Sequence, residues 1–366
     1  MDQFYSIDSL MEKNATFSIS FGERSRGKTY SSLVWGIKDV VKSGYVNQIA
    51  YMRRWAEDLQ GKRGDSLFAA LIANDEISKL TNGKYTGVKY YASRWYFTYK
   101  EKTKKGEEII KRADDPFCIG FGLNVFEHDK SSSFPNITTI IFDEFISRIQ
   151  YIGDEFNVFL NSVNTITRHR SNVRIVMLGN TVSFENPYFH EMGVYYKAKF
   201  MKPGETYLFT VGKTETTIAL EFTSNAGEKP SDVYFNFETS SAEMIKNGAW
   251  EIGKYPRLQP EYKFKPMDIV FKYFILVYDE ILQANVIAKE NMFFTYIHKK
   301  TTDLKDTDND LIYSFEENPR YNWRCNILKP IDELGKKIAY FYKSDLVFYQ
   351  SNEVGELVNI YLQHFN

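Results

Sequence analysis

The segment Gly22–Thr29, with the sequence GERSRGKT, restricts the fold of this chain more than any other feature of its sequence. It fits the pattern GxxxxGKT, and it lies between an alternating apolar run at residues 16–21, which predicts a strand, and residues 30–43, whose apolar groups recur at helical spacing. In that context the backbone N–H groups of the loop converge on phosphate oxygens, and the following helix N-terminus adds positive potential. We therefore expect a nucleotide phosphate site, where Lys28 neutralises β- and γ-phosphate charge and Thr29 binds Mg²⁺.

The other positions of this loop divide into glycines and arginines. Gly22 and Gly27 stand at its two ends, where the chain has to curl tightly. Arg24 and Arg26 fill variable positions between them. For each arginine two alternatives stay open, a contact with nucleotide phosphate or a side chain that only faces solvent.

An acidic pair follows a second strand, about 115 residues further along the chain. Residues 138–142 (TTIIF) predict a buried strand, and Asp143 and Glu144 stand directly after it. Combined with a phosphate loop, this pair predicts that Asp143 holds Mg²⁺ through water and that Glu144 orients or deprotonates the attacking water. The alternative is an ordinary solvated strand end.

Two arginines close the next predicted helix. Residues 155–168 repeat apolar groups at helical spacing, and Arg168 and Arg170 lie at the end of that run. Departure of a γ-phosphate needs positive charge beyond the loop lysine and Mg²⁺, so we expect an arginine finger from a neighbouring subunit, with Arg168 favoured over Arg170. The alternative is a pair of cations that only complement the helix dipole.

Two more residues are candidates for the same site. Asn180 follows the strand-like residues 173–179, and it either hydrogen-bonds the attacking water or γ-phosphate or simply caps the strand. Lys130 precedes the acidic strand, and it is either another trans-acting cation or an ordinary surface lysine.

Charge is balanced overall and uneven locally. The net charge is −1, from 46 Lys and Arg against 47 Asp and Glu, which does not by itself indicate a nucleic-acid binder. Residues 84–112, however, carry nine basic side chains against three glutamates, and their aromatic and β-branched runs around a Lys/Gly turn predict an inserted antiparallel hairpin. Its candidate contacts with DNA phosphates are Lys100, Lys102, Lys104 and Lys105.

Composition excludes several classes of protein. No uncharged apolar run approaches the roughly 18 residues of a membrane helix, and residues 1–14 lack a basic start followed by an apolar stretch, so we expect neither membrane insertion nor secretion. The two cysteines, Cys118 and Cys325, form no CxxC and the chain has five histidines, which argues against a disulfide scaffold and a zinc cluster. Any metal is therefore expected to be held by oxygen.

Four segments in this order resemble the genome-packaging ATPases of phi29-like small tailed bacteriophages: FGERSRGKTYS, IAYMRR, SSSFPNITTIIFDEF and TRHRSNVRIVMLGNTVSFENPYF. The resemblance covers roughly residues 15–195. It implies an ASCE-type P-loop ATPase domain with a mainly parallel sheet, whose sensor strand lies between the strands of the acidic and phosphate-binding motifs and brings Asn180 beside Glu144. It also implies that the loop and the acidic pair act in one subunit while Arg168 acts on its neighbour.

The same resemblance implies what the protein does and with what. Such ATPases are ring-forming motors that dock on the portal of an empty procapsid and use ATP and Mg²⁺ to pump double-stranded DNA inward. The implied partners are duplex DNA, the portal and further copies of the chain, a pentamer by family resemblance, with a packaging RNA as an open alternative. The implied location is the cytoplasm of the infected bacterial host, with transient attachment to the procapsid.

The sequence after residue 200 predicts a separate part. Gly, Pro and Ser breaks at 224–231 and 253–260 indicate a linker, and strand-like runs at 267–278 and 292–298 precede a closing helix near 352–364. The chain thus divides into an ATPase domain at 1–222, a linker subdomain at 223–256 and a C-terminal α+β domain at 257–366.

The resemblance implies that this last domain is a vestigial RNase H-like nuclease. Metal-dependent cleavage needs several carboxylates that converge on one strand cluster. Asp268 and Asp279 are candidate strand acids, but nothing in their spacing predicts convergence, so we expect no nuclease activity.

Three functions remain open at this point. The first is an ATP-driven translocase of double-stranded DNA, which phosphate contacts without sequence preference would serve. The second is a nucleotide-switched structural ring that binds a partner without turnover. The third is a helicase or recombination ATPase of the same fold that acts on single-stranded DNA.

Overall fold

A computed structural model describes most of the chain: residues 5–23, 27–104, 107–129, 133–147, 150–181, 183–223, 255–259, 262–290 and 292–365. The chain forms two compact units. The first comprises Met1–Ser147, Phe156–Val182 and Met192–Trp250, and the second comprises Arg148–Glu155, Ser183–Glu191 and Glu251–Asn366.

This division differs from the predicted one in two short segments. Residues 148–155 and 183–191, expected in the ATPase domain, group with the C-terminal part of the chain. A linear division cannot anticipate this, because it assigns each stretch of sequence to one domain. Most of the predicted linker, residues 224–254, lies outside the described residues.

The first unit is built on a ten-stranded sheet with the order β3-β4-β6-β2-β7-β8-β1-β10-β9, in which β5 pairs with β4. Its strands are β1 Phe17–Gly22, β2 Gln48–Arg53, β3 Gly87–Tyr91, β4 Arg94–Lys102, β5 Glu108–Arg112, β6 Cys118–Gly122, β7 Ile137–Asp143, β8 Arg174–Asn180, β9 Thr206–Thr210 and β10 Thr217–Phe222. The six strands from β6 to β10 in this order are parallel. The mainly parallel α/β fold is therefore confirmed, and β8, the predicted sensor strand, lies between β7 and β1.

Seven described helices accompany these strands: α1 Asp8–Met11, α2 Lys28–Lys42, α3 Gly61–Ser66, α4 Ala69–Ala73, α5 Glu76–Leu80, α6 Glu155–Thr167 and α8 Tyr195–Phe200, with 3-10 helices at Ala56–Leu59 and Leu123–Asp129. Helix α7, Pro187–Glu191, belongs to the second unit. Helix α2 buries Leu33, Ile37 and Val40 almost completely, which is one face of a helix at the predicted spacing. Strands β1, β7 and β8 are buried along nearly their whole length, as expected where both faces of a parallel sheet are covered. None of the described helices is long and apolar enough to cross a membrane.

The basic insertion is a three-stranded meander rather than a single hairpin. Strands β3, β4 and β5 pair antiparallel, and β4 also pairs with β6 at the edge of the main sheet. The additional turn lies at Ala92 and Ser93, which have φ values of 47° and 55°. A two-residue turn with both residues in the left-handed region usually contains glycine or asparagine, so this one carries no sequence signal.

The second unit contains a six-stranded sheet with the order β15-β14-β11-β12-β13-β16. Its strands are β11 Ile269–Val277, β12 Glu280–Lys289, β13 Met292–Lys299, β14 Ile312–Tyr313, β15 Trp323–Arg324 and β16 Val347–Tyr349, and its long helices are α9 Glu333–Lys343 and α10 Asn352–His364. Strands β11 to β13 form an antiparallel meander, and β14 and β15 continue parallel beside β11. A meander extended beside its first strand by two parallel strands is the order of an RNase H-like sheet, as the resemblance implies.

Side-chain caps fix the two long helices of this unit. Asp332 accepts a hydrogen bond from Gly335 N at 2.7 Å at the start of α9. Ser351 accepts one from Val354 N at 3.2 Å at the start of α10. Helix α10 then buries Leu357, Val358 and Tyr361 in a core shared with the meander.

The two candidate nuclease carboxylates lie at opposite ends of β11. Asp268 precedes the strand and accepts a hydrogen bond from Lys265 N at 2.7 Å, while Asp279 follows the strand in the turn to β12. A nine-residue strand separates its ends by about 30 Å. The two carboxylates therefore cannot share one metal ion, and no group of three or more His, Cys, Asp or Glu among the described residues could hold one.

Candidate nucleotide-binding site

The candidate site lies along one edge of the parallel sheet. Gly22 ends β1, Asp143 ends β7, Asn180 ends β8 and Arg53 ends β2. Parallel strands present their carboxyl ends at the same edge, where ligands of open α/β sheets bind. Residues from four separate stretches of sequence thus meet at the turn into α2.

The two glycines of the loop are required for different reasons. Gly27 has φ 86° directly before α2, a left-handed conformation that L side chains disfavour. At Gly22 the limit is space, because a Cβ there would lie 1.8 Å from Thr223 Oγ1. Arg24 and Arg26 lie outside the described residues.

The loop lysine is folded back into the loop. Lys28 is buried, with 6% of its surface exposed, and its Nζ donates to Gly22 O at 3.2 Å and Glu23 O at 2.5 Å. The ammonium group is therefore held inside the curl of the chain, where backbone carbonyls offset its charge. Its burial makes it a fixed source of positive potential for an anion bound by this loop.

Thr29 and Asp143 are in direct contact. Thr29 Oγ1 donates to Asp143 Oδ2 at 2.9 Å, and Tyr51 OH donates to the same oxygen at 2.7 Å. The other carboxylate oxygen, Oδ1, accepts a hydrogen bond from Glu144 N at 3.0 Å. Two hard oxygen donors side by side are the ligand type that Mg²⁺ prefers, so the predicted pair fits that ion.

Tyr51 is a site residue that the sequence did not indicate. It lies on β2 and is almost completely buried. Burial, and next the negative charge of Asp143, raise the pKa of the Tyr51 hydroxyl well above its usual value. The hydroxyl therefore stays protonated and acts as a permanent donor to Asp143.

Glu144 is oriented by its backbone and by an arginine. Its φ of 58° places it in the left-handed region directly after β7. Arg53 Nη2 donates to Glu144 Oε2 at 2.6 Å and lies 3.5 Å from Asp58 Oδ2. The adjacent Arg54 donates to Glu144 O at 3.2 Å and to Phe145 O at 2.6 Å. The paired arginines of the segment IAYMRR thus hold both the side chain and the backbone of the acidic motif.

The structure separates the two candidate finger arginines. Arg170 donates to the carbonyl oxygens of Phe134, Pro135, Ile137, Ile166 and Thr167, at 2.6–3.0 Å. It therefore ties the end of α6 to the start of β7. Arg168 is exposed and has φ 41°, and His169 follows with φ 68°. Such left-handed conformations are uncommon in non-glycine residues.

Asn180 lies opposite the phosphate loop in the sheet register. It pairs with Gly22 across β8 and β1, and the following Thr181 N donates to Gly22 O at 3.1 Å. On the other side of β8, Leu178 pairs with Asp143. Asn180 is thus placed one strand from both the loop and the acidic motif.

The other predicted cations are ion-paired, exposed, or outside the described residues. Lys100 pairs with Glu108 at 3.2 Å on the basic meander, and Lys111 pairs there with Glu101. Lys102 and Lys104 are exposed. Lys105 and Lys130 lie outside the described residues. Ion pairing engages Lys100 within the meander and leaves the net positive charge of the segment as the sequence predicts.

Comparison with known proteins supports the resemblance. A family model described as "Podovirus DNA encapsidation protein (Gp16)" matches residues 97–209. The chain is 27% identical over 195 residues to the DNA packaging protein of Bacillus phage phi29, covering 51% of this chain and 49% of that protein. It is 31% identical over 176 residues to the DNA packaging protein of Bacillus phage B103, covering 47% and 46%. This chain is similar to the DNA packaging proteins of phi29-like phages.

The sequence similarity covers about half of this chain, whereas the structural similarity covers nearly all of it. The chain spans about half the length of the curated relatives it matches. The Phi-28 gp11 DNA packaging motor matches 99% of this chain and 98% of its own, with TM-score 0.58 and 18% identity. The bacteriophage Phi-29 viral genome packaging motor assembly matches 99% of each chain, with TM-score 0.54 and 20% identity. At these identities the structural likeness establishes the fold.

Proposed function

We propose that the protein is an ATP-hydrolysing motor that translocates viral double-stranded DNA into a procapsid, as a homo-oligomeric ring at the portal. The observation that carries this proposal is the contact between Thr29 and Asp143 beside Glu144, at the edge of the sheet where β1 turns into α2. That arrangement brings a phosphate loop, an oxygen ligand pair and a general base to one point. The printed names of the matched relatives, DNA packaging proteins, support the coupling to DNA.

The side chains divide the work of hydrolysis. Lys28 and the loop N–H groups bind the phosphates, and Thr29 and Asp143 would hold Mg²⁺. When bound, that ion neutralises charge on the β- and γ-phosphate oxygens. Glu144 accepts a proton from the attacking water or orients it, and Arg53 holds the carboxylate at its place until nucleotide arrives.

We expect a second subunit to complete the site, because negative charge develops during hydrolysis and has to be stabilised. The γ-phosphoryl group gains negative charge as it leaves, and an arginine from a neighbour stabilises it. Arg168 is exposed at a helix end, while Arg170 is engaged by backbone carbonyls. We therefore assign the trans-acting role to Arg168, which makes hydrolysis depend on ring assembly.

The test is ATP hydrolysis by the purified chain with duplex DNA, single-stranded DNA and no DNA. Stimulation by duplex DNA is expected, and Glu144→Gln should lower turnover by about 10²- to 10⁴-fold while ATP still binds. Glu12→Gln, at an exposed position away from this edge, is the matched control. A Glu144→Gln protein with normal behaviour would indicate the nucleotide-switched ring, and stimulation only by single strands would indicate the helicase or recombination class.

A further inference from the structure

The second unit carries an acidic segment that leads from the end of β13 to the edge strand β15. Between residues 303 and 320, six carboxylates stand against two cations, and Tyr321 follows with 80% of its surface exposed. We call Asp303, Asp308 and Tyr321, together with the loop that joins them, the acidic edge. Tyrosine is enriched among the residues that carry most of the binding energy of protein interfaces.

Hydrogen bonds fix this surface. Asp306 accepts from Asn309 N at 3.2 Å and from Asn309 Nδ2 at 3.0 Å, which closes the loop on itself. Asn322 Nδ2 donates to Thr307 O at 2.8 Å and Asp310 O at 2.7 Å. Tyr321, the neighbour of Asn322 in sequence, is therefore held beside the loop, and an anchor ordered before binding loses little entropy when it docks.

The opposite edge of the same sheet carries a cleft of about 920 Å³. It lies between the start of β13, helix α9 and β16, and we call it the apolar cleft. Its aromatic lining includes Phe293, Phe294, Tyr340, Phe341 and Phe348, and Lys336 and Lys337 also line it. Phe293 and Tyr340 are 56% and 59% exposed, so apolar surface and positive charge occur together here.

We propose that the acidic edge of one copy of this chain docks into the apolar cleft of the next copy. Tyr321 enters the cleft, and Asp303 and Asp308 approach Lys336 and Lys337. Within one copy Asp308 pairs with Arg320 at 3.3 Å and Lys336 pairs with Glu333 at 2.6 Å, and docking exchanges these exposed pairs for pairs across the interface. Asp308 and Tyr321 lie beside β15 and the cleft lies beside β16, the two ends of the strand order, so each copy offers both surfaces. An interface between two different patches is heterologous, and it closes into a ring when the rotation allows. The inference deepens the proposed function, because it rests on a ring of this chain.

The anchor is tested by the assembly of the full chain, measured by sedimentation over a concentration series without DNA. Tyr321→Ala should raise the concentration needed for half-assembly about tenfold or more, as expected for truncation of a central aromatic anchor. Ile331→Ala is the control, since Ile331 is 84% exposed in the same unit and does not line the cleft. Equal assembly of Tyr321→Ala and wild type, or a wild type that stays monomeric at every concentration reached, would overturn the proposal.

The charge pairing is tested by mixing two variants. One carries Lys336→Glu and Lys337→Glu, and the other carries Asp303→Lys and Asp308→Lys, which spares the loop-closing Asp306. Each variant alone should assemble poorly, and their mixture should recover, because reversed edges then meet reversed clefts. Lys329→Glu, an exposed lysine of the same unit, should change nothing. A mixture that assembles no better than its components contradicts the pairing.

Three outcomes separate this inference from the proposed function. If the lysine variant assembles normally but loses binding to a DNA or RNA oligonucleotide, the cleft is a nucleic-acid surface and the inference is wrong, while the motor stands. If the Tyr321→Ala chain fails to assemble but its subunits still bind ATP, the inference holds. Absence of ATP binding in the wild type would instead contradict the proposed function.

Discussion

The two sheets of this molecule distribute their polar side chains in different ways. In the first unit, β2, β7, β8 and β1 are parallel, so Arg53, Asp143, Asn180 and Gly22 all lie at one edge. In the second unit, the meander β11-β12-β13 is antiparallel, and its candidate carboxylates lie at opposite ends of β11. The comparison shows how strand direction decides whether residues distant in sequence can form a reactive centre.

The arrangement of the strands also decides how many hydrogen bonds each carboxylate accepts. Asp143 receives hydrogen bonds from Thr29, Tyr51 and Glu144 N, because three segments end around it. Asp268 receives one from the backbone of its own turn. Substitutions at the parallel edge should therefore affect the reaction strongly, and those at the ends of β11 should affect it little.

The largest effect is expected for Arg168→Ala, which tests whether the parallel edge is complete within one subunit. Turnover should fall by about 10³- to 10⁵-fold with little change in ATP affinity, because the lost guanidinium acts on the transition state. Steady-state hydrolysis and nucleotide titration measure the two quantities.

A mixing experiment controls this prediction. Arg168→Ala subunits keep an intact Glu144, and Glu144→Gln subunits keep an intact finger, so mixed rings should recover part of the activity. An Arg168→Ala protein with near wild-type turnover would mean that this arginine is only a helix-end cation. Absence of rescue would place its action within one subunit.

The next effect is expected for Arg53, the arginine that holds Glu144. Arg53→Gln should lower turnover by up to about a hundredfold, the range found for partners that orient reactive groups. Arg53→Lys should recover little, because a single ammonium lacks the planar fork of donors. Lys42→Gln is the control, since Lys42 is exposed in the last turn of α2, at the opposite end of that helix from the loop.

Kinetic constants distinguish positioning from binding for Arg53. Loss of a contact that only orients the reactive carboxylate should lower kcat in Arg53→Gln and leave ATP affinity nearly unchanged. An unchanged kcat, or a loss of ATP affinity as large as the loss of kcat, would contradict the positioning role.

The sequence predicted the phosphate loop and the acidic motif of the first unit, but it did not predict the residues that hold them in place. GxxxxGKT and the apolar strand before Asp143 are local signals, and the structure has α2, β1 and β7 within two residues of the predicted bounds. Tyr51 and Arg53 were not predicted, because their roles depend on the register of β2 with β7, about 90 residues away. The role of Arg170 depends in the same way on carbonyls more than thirty residues upstream.

In the second unit the missing signals were local. Strand β12 contains Glu280, Gln283 and Asn285, and these polar residues interrupt the alternation that predicts a strand. Helix α9 has two lysines and a glycine in its first half, and it becomes recognisable only through its Asp332 cap. Packing against the meander, rather than propensity, therefore fixes these elements.

Tyr51→Phe tests a hydrogen bond of the parallel edge by its effect on the free energy of unfolding. It removes the buried donor to Asp143 Oδ2, and a hydrogen bond to a charged group contributes about 1.5 kcal/mol to the free energy of unfolding. Chemical denaturation of the full chain measures the loss. Tyr96→Phe is the control, because Tyr96 is also buried and its hydroxyl has no hydrogen bond among the described residues, so a change below about 0.5 kcal/mol is expected there.

The smallest effect is expected for Asp279→Asn, at the turn of the antiparallel meander. Its carboxylate lies a whole strand away from Asp268, so no shared metal depends on it, and the free energy of unfolding should change by less than about 0.5 kcal/mol. Incubation of the wild type with plasmid DNA and Mg²⁺ or Mn²⁺ should leave the DNA intact. Cleavage by the wild type that Asp279→Asn abolishes would show that carboxylates converge in this unit after all, and the contrast between the two sheets would then fail.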